Sequence, residues 1–314
     1  MNYEKVFEKM IDQTKNYLEL NNLNAMILGI SGGLDSTVTA AICHEVERRN
    51  PELKFYGVSL PCSTNTDDEN ECAKLCMKAF CKEGQYWTES LQKEYMLMKA
   101  TCCQHHSPTT IGLGNLKARL RMMYLYDMAN YTSGLVMDTD NLTEHYLGFF
   151  TIHGDVADFN PIGGLWKHEV YELAEYLLHN YYNISKDPTD SLSYKQMALK
   201  GAIGITPTDG NGVNSYGDMG QIAPAFIKDN FIEAYKKVDE IIQTYLQYSG
   251  HHTEEYLIAM EELHKKYDVW DEKTNFCIHK TVDDIISRIR RTEYKRKGLP
   301  IVIERSEYTN EPKY

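Results

Sequence analysis

Apolar and polar positions alternate along this chain with two different periods, and the periods separate helices from strands. Over residues 3–20, Val6, Phe7, Met10, Ile11, Tyr17 and Leu18 fall on one side of a helix. Ala25-Met26-Ile27-Leu28-Gly29-Ile30 is a short continuous apolar run and reads as a strand. It runs into Ser31-Gly32-Gly33-Leu34-Asp35-Ser36-Thr37, and a helix beginning at about Ser36 continues through Val38 to Cys43. A second strand is predicted at Phe55–Leu60, ended by Pro61. Residues 67–83 read as helix, 85–88 as a short strand, 115–129 as helix and 134–137 as a buried strand. Strands that alternate with helices imply an α/β fold, a parallel sheet wound by crossover helices.

The pattern changes at about residue 165. Residues 166–179 read as helix, while 201–222, rich in Gly, Pro, Asn and Asp, are expected to be irregular. Ile227, Phe231, Tyr235, Val238, Ile241, Ile242, Tyr245 and Leu246 then trace one apolar stripe of a long helix, a packing face within the domain or across a dimer. The expected organisation is one domain over residues 1–314, with a core sheet over about 22–165 and a helical, loop-rich part over about 166–314.

Composition narrows the partners. With 33 Lys and Arg against 45 Asp and Glu, the net charge is −12, which argues against a broad nucleic-acid surface or an anionic membrane. One basic run, Arg288 to Lys297, stands out against this background, with six Lys or Arg in ten residues. No apolar stretch reaches membrane-spanning length, and Met1-Asn2-Tyr3-Glu4-Lys5 does not open a signal peptide. The 8 cysteines form no C-x-x-C pair, so reduced thiols in the cytoplasm are expected rather than a disulfide frame or a zinc site.

The chemistry concentrates where the first strand meets its helix. In Ser31-Gly32-Gly33-x-Asp35-Ser36 the glycines let the backbone turn tightly and bring its N–H groups against an anion. The helix that follows adds its partial positive charge and free amides. Ser31, Ser36 and Thr37 offer hydroxyl donors to phosphate oxygens, and Asp35 suits a Mg²⁺ ion that neutralises pyrophosphate. The absence of a Gly-Lys-Ser or Gly-Lys-Thr element separates this loop from a Walker loop.

Ser-Gly-Gly-x-Asp-Ser resembles the pyrophosphate loop of the ATP pyrophosphatases, enzymes that split ATP into AMP and pyrophosphate. Further elements narrow the resemblance to the NAD synthetases. Gly114-Asn115-Leu116-Lys117-Ala118-Arg119-Leu120-Arg121-Met122 is similar to that family's GNxxARxRM segment. Thr139-Asp140-Asn141-x-x-Glu144, Gly148-Phe149-Phe150-Thr151, Gly154-Asp155 and Asn160-Pro161-Ile162 resemble its second block, with Lys167 following. Glu293-Tyr294-Lys295-Arg296-Lys297 before Pro300 resembles its terminal element.

The resemblance implies a Rossmann-like sheet of the adenine nucleotide alpha hydrolase type and an ATP-dependent amidation of deamido-NAD (nicotinate adenine dinucleotide) by ammonia. It implies ATP contacts from Gly29, Ile30, Ser31, Gly32, Gly33, Leu34, Asp35, Ser36, Thr139, Lys167 and Thr208. Asp35 and Glu144 would hold Mg²⁺, and Asp35, Lys167 and Asp155 would be catalytic, with Asp155 near the nicotinate end or the ammonia route. Arg119, Asp158, Tyr294 and Lys295 would bind deamido-NAD, near the interface of a homodimer. A Pro-Thr-x-Asp element has two candidates, Pro188-Thr189-Asp190 and Pro207-Thr208-Asp209, and downstream neighbours favour Thr208. Ser31 stands one helix from the start and the chain ends shortly after Lys295, so the resemblance implies no glutamine amidotransferase domain and ammonia as nitrogen donor.

Several positions depart from the family pattern. Ser59 stands where Arg is common, Asn65 near an expected Gln, Asp138 in place of Gly before Thr139, and Ile152 in place of a Lys. The stretch from Asp155 to Asp158 is also one residue short. These changes spare the loop and the metal acids and bear on substrate affinity. Two other readings remain: a tRNA-modifying ATP pyrophosphatase, and a nucleotide-binding relative without turnover.

Overall fold

The computed structural model describes residues 1–62, 65–183, 191–207, 217–226, 230–248, 253–271 and 276–297. Helix α1 (Tyr3–Leu20) starts where the Asn2 side chain accepts the Lys5 amide, and it buries Phe7, Met10, Ile11 and Leu18. Strand β1 (Ala25–Gly29) leads into α2 (Leu34–Arg49), and β2 (Lys54–Ser59) into α3 (Asp67–Phe80). Next come β3 (Tyr86–Thr88), α4 (Gln92–Cys102), α5 (Thr110–Thr132) and β4 (Leu135–Val136). The four strands form one parallel sheet in the order β3-β2-β1-β4.

Burial on both faces explains why β1 reads as a continuous apolar run. Met26, Leu28 and Ile30 enter the larger core cluster, while Ala25 and Ile27 enter a second one with Val58, Leu125 and Val136. The first cluster extends through the later helices as far as Ile289, so the helical part packs on one face of the sheet. The chain steps outward from β1 to β3, then returns to place β4 on the other side of β1. That reversal opens a crevice at the carboxyl ends of β1 and β4, the usual place for a ligand in an open α/β sheet.

The second half is α6 (Leu142–Leu147), α7 (Lys167–Tyr176), α8 (Ser191–Gly204), α9 (Gly217–Ile222), α10 (Phe231–Tyr248), α11 (Glu254–Tyr267) and α12 (Thr281–Arg291). An antiparallel hairpin of β5 (Val269–Asp271) and β6 (Phe276–His279) precedes α12. The expectation of irregular chain over 201–222 fails at both ends, where α8 runs to Gly204 and α9 covers Gly217–Ile222. Ala198, Leu199 and Ala202 are buried, and packing of α8 against its neighbours outweighs the weak helix propensity of its glycines. Residues 208–216, with Thr208, lie outside the described residues, as does Thr189.

Gly32 ties the loop to α3. Its φ is +87°, and a β-carbon there would stand 2.4 Å from the Glu69 carbonyl oxygen and 2.7 Å from the Ala73 amide nitrogen. Gly32→Ala is expected to lower the unfolding free energy by about 3 kcal/mol, combining backbone strain with overpacking. Denaturant melts check this, and a loss under about 0.5 kcal/mol would mean that α3 does not press on the loop.

Candidate active site

The loop after β1 is shaped by its own polar groups. The Ile30 amide donates to the Val58 carbonyl at 2.8 Å, the last tie of β1 to β2. The Gly33 amide donates to Ser31 Oγ at 3.2 Å, while Ser36 Oγ and Thr37 Oγ1 donate to the Gly33 carbonyl at 3.1 and 2.9 Å. Two of the three hydroxyls expected to face phosphate therefore brace the turn, and Ser31 is the exposed one. Gly33 is the N-cap of α2 and brings no side chain to its first-turn amides. A helix N-terminus of this kind at the mouth of a crevice attracts anions.

Below it sits a group of charges. Lys167, the first residue of α7, is buried, and its ammonium donates to Asp35 Oδ2 and, at 3.1 Å, to Glu144 Oε1. Asn141 donates from Nδ2 to Asp35 Oδ1 at 3.0 Å. The same Asn141 caps α6 by accepting the Glu144 amide at 3.1 Å, and Glu144 Oε2 accepts the Asn141 amide at 3.2 Å. This capping box fixes the Glu144 carboxylate beside Asp35. Behind Lys167, its backbone amide donates to Thr143 Oγ1 at 2.8 Å, and Thr143 donates in turn to the fully buried Asp239 at 2.5 Å. His168 also binds Asp239, through its amide at 3.2 Å and its Nδ1 at 2.7 Å.

Burial and crowding set the protonation here. Loss of solvation raises the Glu144 pKa to about 7, with Asp35 adding to the rise and Lys167 opposing it. Burial disfavours the charge on Lys167, but Asp35 and Glu144 override it and hold the ammonium charged well above the ordinary lysine range. Burial likewise opposes a charge on His168, and Asp239 lifts its pKa above the usual value. Asp155 is raised to about 6 by loss of solvation, against the pull of the Thr151 amide. Carboxylates thus outnumber cations on this floor, which calls for a further cation when a polyphosphate binds. Among the described residues no three His, Cys, Asp or Glu side chains form a metal cage. Asp35 and Glu144 are two hard oxygen donors on one ammonium, a number that suits Mg²⁺ completed by water and phosphate oxygens.

The cavity above measures about 310 Å³. Gly29, Val58, Leu60, Met122, Leu125 and Met137 form an apolar wall. Of the residues singled out from the sequence, Gly29, Ile30, Ser31, Gly33, Leu34, Asp35, Thr139, Glu144, Asp155 and Lys167 line it. Gly32 and Ser36 are buried and shape the turn behind it.

Those assigned to the dinucleotide lie outside this wall. Arg119 is exposed and donates to the Ile152 carbonyl at 3.1 Å, and Tyr294 is exposed. Asp158 accepts from the Tyr126 hydroxyl at 2.9 Å and the Val136 amide at 3.0 Å, bracing the end of β4. Lys295 donates to the Gly148 carbonyl at 2.7 Å and to the Phe150 carbonyl, and burial depresses its pKa against the attraction of Asp155. Arg288 and Arg296 similarly donate to the Leu147 and Tyr146 carbonyls at 2.9 and 2.7 Å. The basic run thus caps the carboxyl end of α6 and grips the strip that carries Asp155.

Asp138, expected to add charge beside the nucleotide, is buried and turned away. It accepts the Asp140 amide at 2.7 Å and the Ala157 amide at 2.8 Å, and burial raises its pKa despite them. Sequence reasoning left Asn141, Arg121, Tyr235 and Asp239 without roles. Asn141-x-x-Glu144 carried a legible signal, the spacing of a capping box. Asp239 carried none, because its partners are 71 and 96 positions away.

Comparison with known proteins decides between the enzymes that such a loop could serve. The model of the NAD synthase family matches residues 6–206. The chain belongs to the NAD synthase family. An NH(3)-dependent NAD(+) synthetase of Campylobacter jejuni subsp. doylei is 34% identical over 194 residues, covering 61% of this chain and 75% of that protein. One from Carboxydothermus hydrogenoformans is 32% identical over 212 residues, covering 67% and 84%. The solved NH3-dependent NAD synthetase of Campylobacter jejuni has the same fold, with a TM-score of 0.62 at 23% identity over 97% of this chain and 100% of that one. As a member of this family the chain is a ligase of ammonia-dependent NAD synthesis.

Proposed function

We propose that this chain converts deamido-NAD to NAD in two steps at this cavity. A nicotinate carboxylate oxygen attacks the α-phosphorus of ATP, the bond to the β-phosphate oxygen breaks, and pyrophosphate leaves. Ammonia then attacks the acyl carbon of the adenylate, the bond from that carbon to the bridging oxygen breaks, AMP leaves with that oxygen, and one proton is released. The observation that carries this reading is Lys167 held between Asp35 and Glu144 at the uncapped N-terminus of α2.

Each group has a part. The α2 amides and the Ser31–Gly33 turn receive the departing pyrophosphate, and the apolar wall takes the adenine. Asp35 and Glu144 would hold Mg²⁺, which neutralises the phosphates when bound. Lys167 is carried by α7 and fixed from behind by Thr143 and Asp239, so its charge stays in place as negative charge builds on phosphorus. Asp155, with its pKa near 6, accepts the proton released from the ammonia nitrogen.

Met96 and Leu97 on α4, with Ile111, Met123, Tyr126 and Tyr131 on α5, are exposed apolar side chains that support a homodimer. Cys43, Cys62, Cys72, Cys76, Cys81, Cys102 and Cys103 are free thiols, which suits a cytoplasmic enzyme.

The test is incubation with ATP, Mg²⁺, ammonium and deamido-NAD, following NAD and AMP, beside a reaction with nicotinate mononucleotide. Equal amounts of NAD and AMP are expected. Amidation of the mononucleotide alone would overturn the substrate, and AMP formed only on adding tRNA would overturn the reaction.

A further inference from the structure

Among the described residues two cationic side chains line the cavity, Lys167 and Arg121, and they stand in opposite electrostatic states. Lys167 is matched by two carboxylates. Arg121, on α5, donates from Nε to the Leu60 carbonyl at 3.0 Å and from an Nη to Asn65 Oδ1 at 3.1 Å. Both acceptors are neutral, and among the described residues Arg121 forms no ion pair. A guanidinium carries five N–H donors, so three remain beyond these two bonds.

An unmatched, half-buried cation is unfavourable in a free protein. Here it occurs in a chain of net charge −12, where acidic partners are plentiful elsewhere. Its two bonds orient the plane of the fork. Leu60 follows β2 and Asn65 precedes the Thr66 cap of α3, so the guanidinium is pinned at the carboxyl end of the sheet, where Ser59 offers only a hydroxyl. The free edge of a planar fork held this way matches a phosphate group, with two N–H donors to two oxygens.

We propose that Arg121 is a phosphate-binding residue of the nucleotide site, engaging an anionic oxygen of ATP within the cavity served by the α2 N-terminus. This rests on the reading that ATP occupies the cavity. Arg121 touches substrate through charge, and its bonds to Leu60 and Asn65 are what aim it.

Titration calorimetry on the full chain tests it, with ATP and Mg²⁺, adenosine and deamido-NAD as separate ligands. Arg121→Met is expected to weaken ATP by about 10- to 100-fold, the range of a lost charge-assisted hydrogen bond, and adenosine by less than about 2-fold. Arg121→Lys should recover part of the ATP affinity. Arg121→Gln keeps an amide donor for the Leu60 carbonyl and should show the same split, which guards against a Met variant that does not fold. Unchanged ATP affinity overturns the proposal alone. An equal loss for adenosine overturns it in favour of a purely structural role, and a loss confined to deamido-NAD overturns the assignment to ATP. A parent protein that binds no ATP overturns both this proposal and the function on which it rests.

Discussion

Asp35→Asn is expected to form NAD about 10³-fold more slowly than the parent at saturating ATP. The amide keeps the size of the side chain and an oxygen for Asn141 Nδ2, which lies 3.0 Å from Asp35 Oδ1. It removes the charge that pairs with Lys167 and the harder of the two oxygens offered to Mg²⁺. Losing one preorganised electrostatic group typically costs about 10²- to 10³-fold, and weaker metal binding adds to it. Steady-state rates of NAD formation at increasing Mg²⁺ give the answer. Parental kcat and an unchanged Mg²⁺ requirement would remove Asp35 from the metal site.

The second large effect concerns stability as well as rate. Lys167→Met leaves Asp35 and Glu144 facing each other without the ammonium between them, where Glu144 already has its pKa raised to about 7. Breaking a buried pair by removing one partner costs about 3–5 kcal/mol. The carboxylates here retain some solvent and Glu144 can take up a proton, so a loss of about 2–3 kcal/mol is expected. Mg²⁺ should raise the melting temperature of the variant more than that of the parent, because a divalent cation can replace the lost charge. Turnover should fall about 10²- to 10³-fold in parallel. An unchanged denaturation midpoint, with no added response to Mg²⁺, would show that the ammonium does not hold the carboxylates together.

Much of this was legible before any coordinates. The run Ala25–Ile30 was a strand because all its side chains are apolar, and both its faces are indeed buried. The turn Ser31-Gly32-Gly33 was readable because its backbone demands glycine, and Gly32 has no room for a side chain. Helices α8 and α9 were hidden by their Gly content, since tertiary packing rather than propensity makes them helical. The hairpin of β5 and β6 and helix α11 were not resolved from the helical background, their short periods being ambiguous alone.

Charge was the harder quantity to read. Lys295 and Arg119 read as anion-binding residues from the sequence, and in the fold each donates to a backbone carbonyl of the strip from Gly148 to Ile152. Asp138 looked like an added charge at the nucleotide and is held by two backbone amides instead. Arg121 looked like one more basic residue on a helix and is, among the described residues, the cavity-lining cation without an ion pair.

By itself the sequence determined the class of the sheet and the glycine turn after β1, and it singled out Asp35, Glu144 and Lys167, because each of these readings depends on local backbone demands or on residue chemistry. Only the tertiary structure decided which charges meet. Asp35 and Lys167 are 132 positions apart, and the Lys167 amide is held from behind by Thr143, which in turn donates to Asp239. A charge acts over a few ångströms through space, and spacing along a chain carries no record of that distance once the chain has folded.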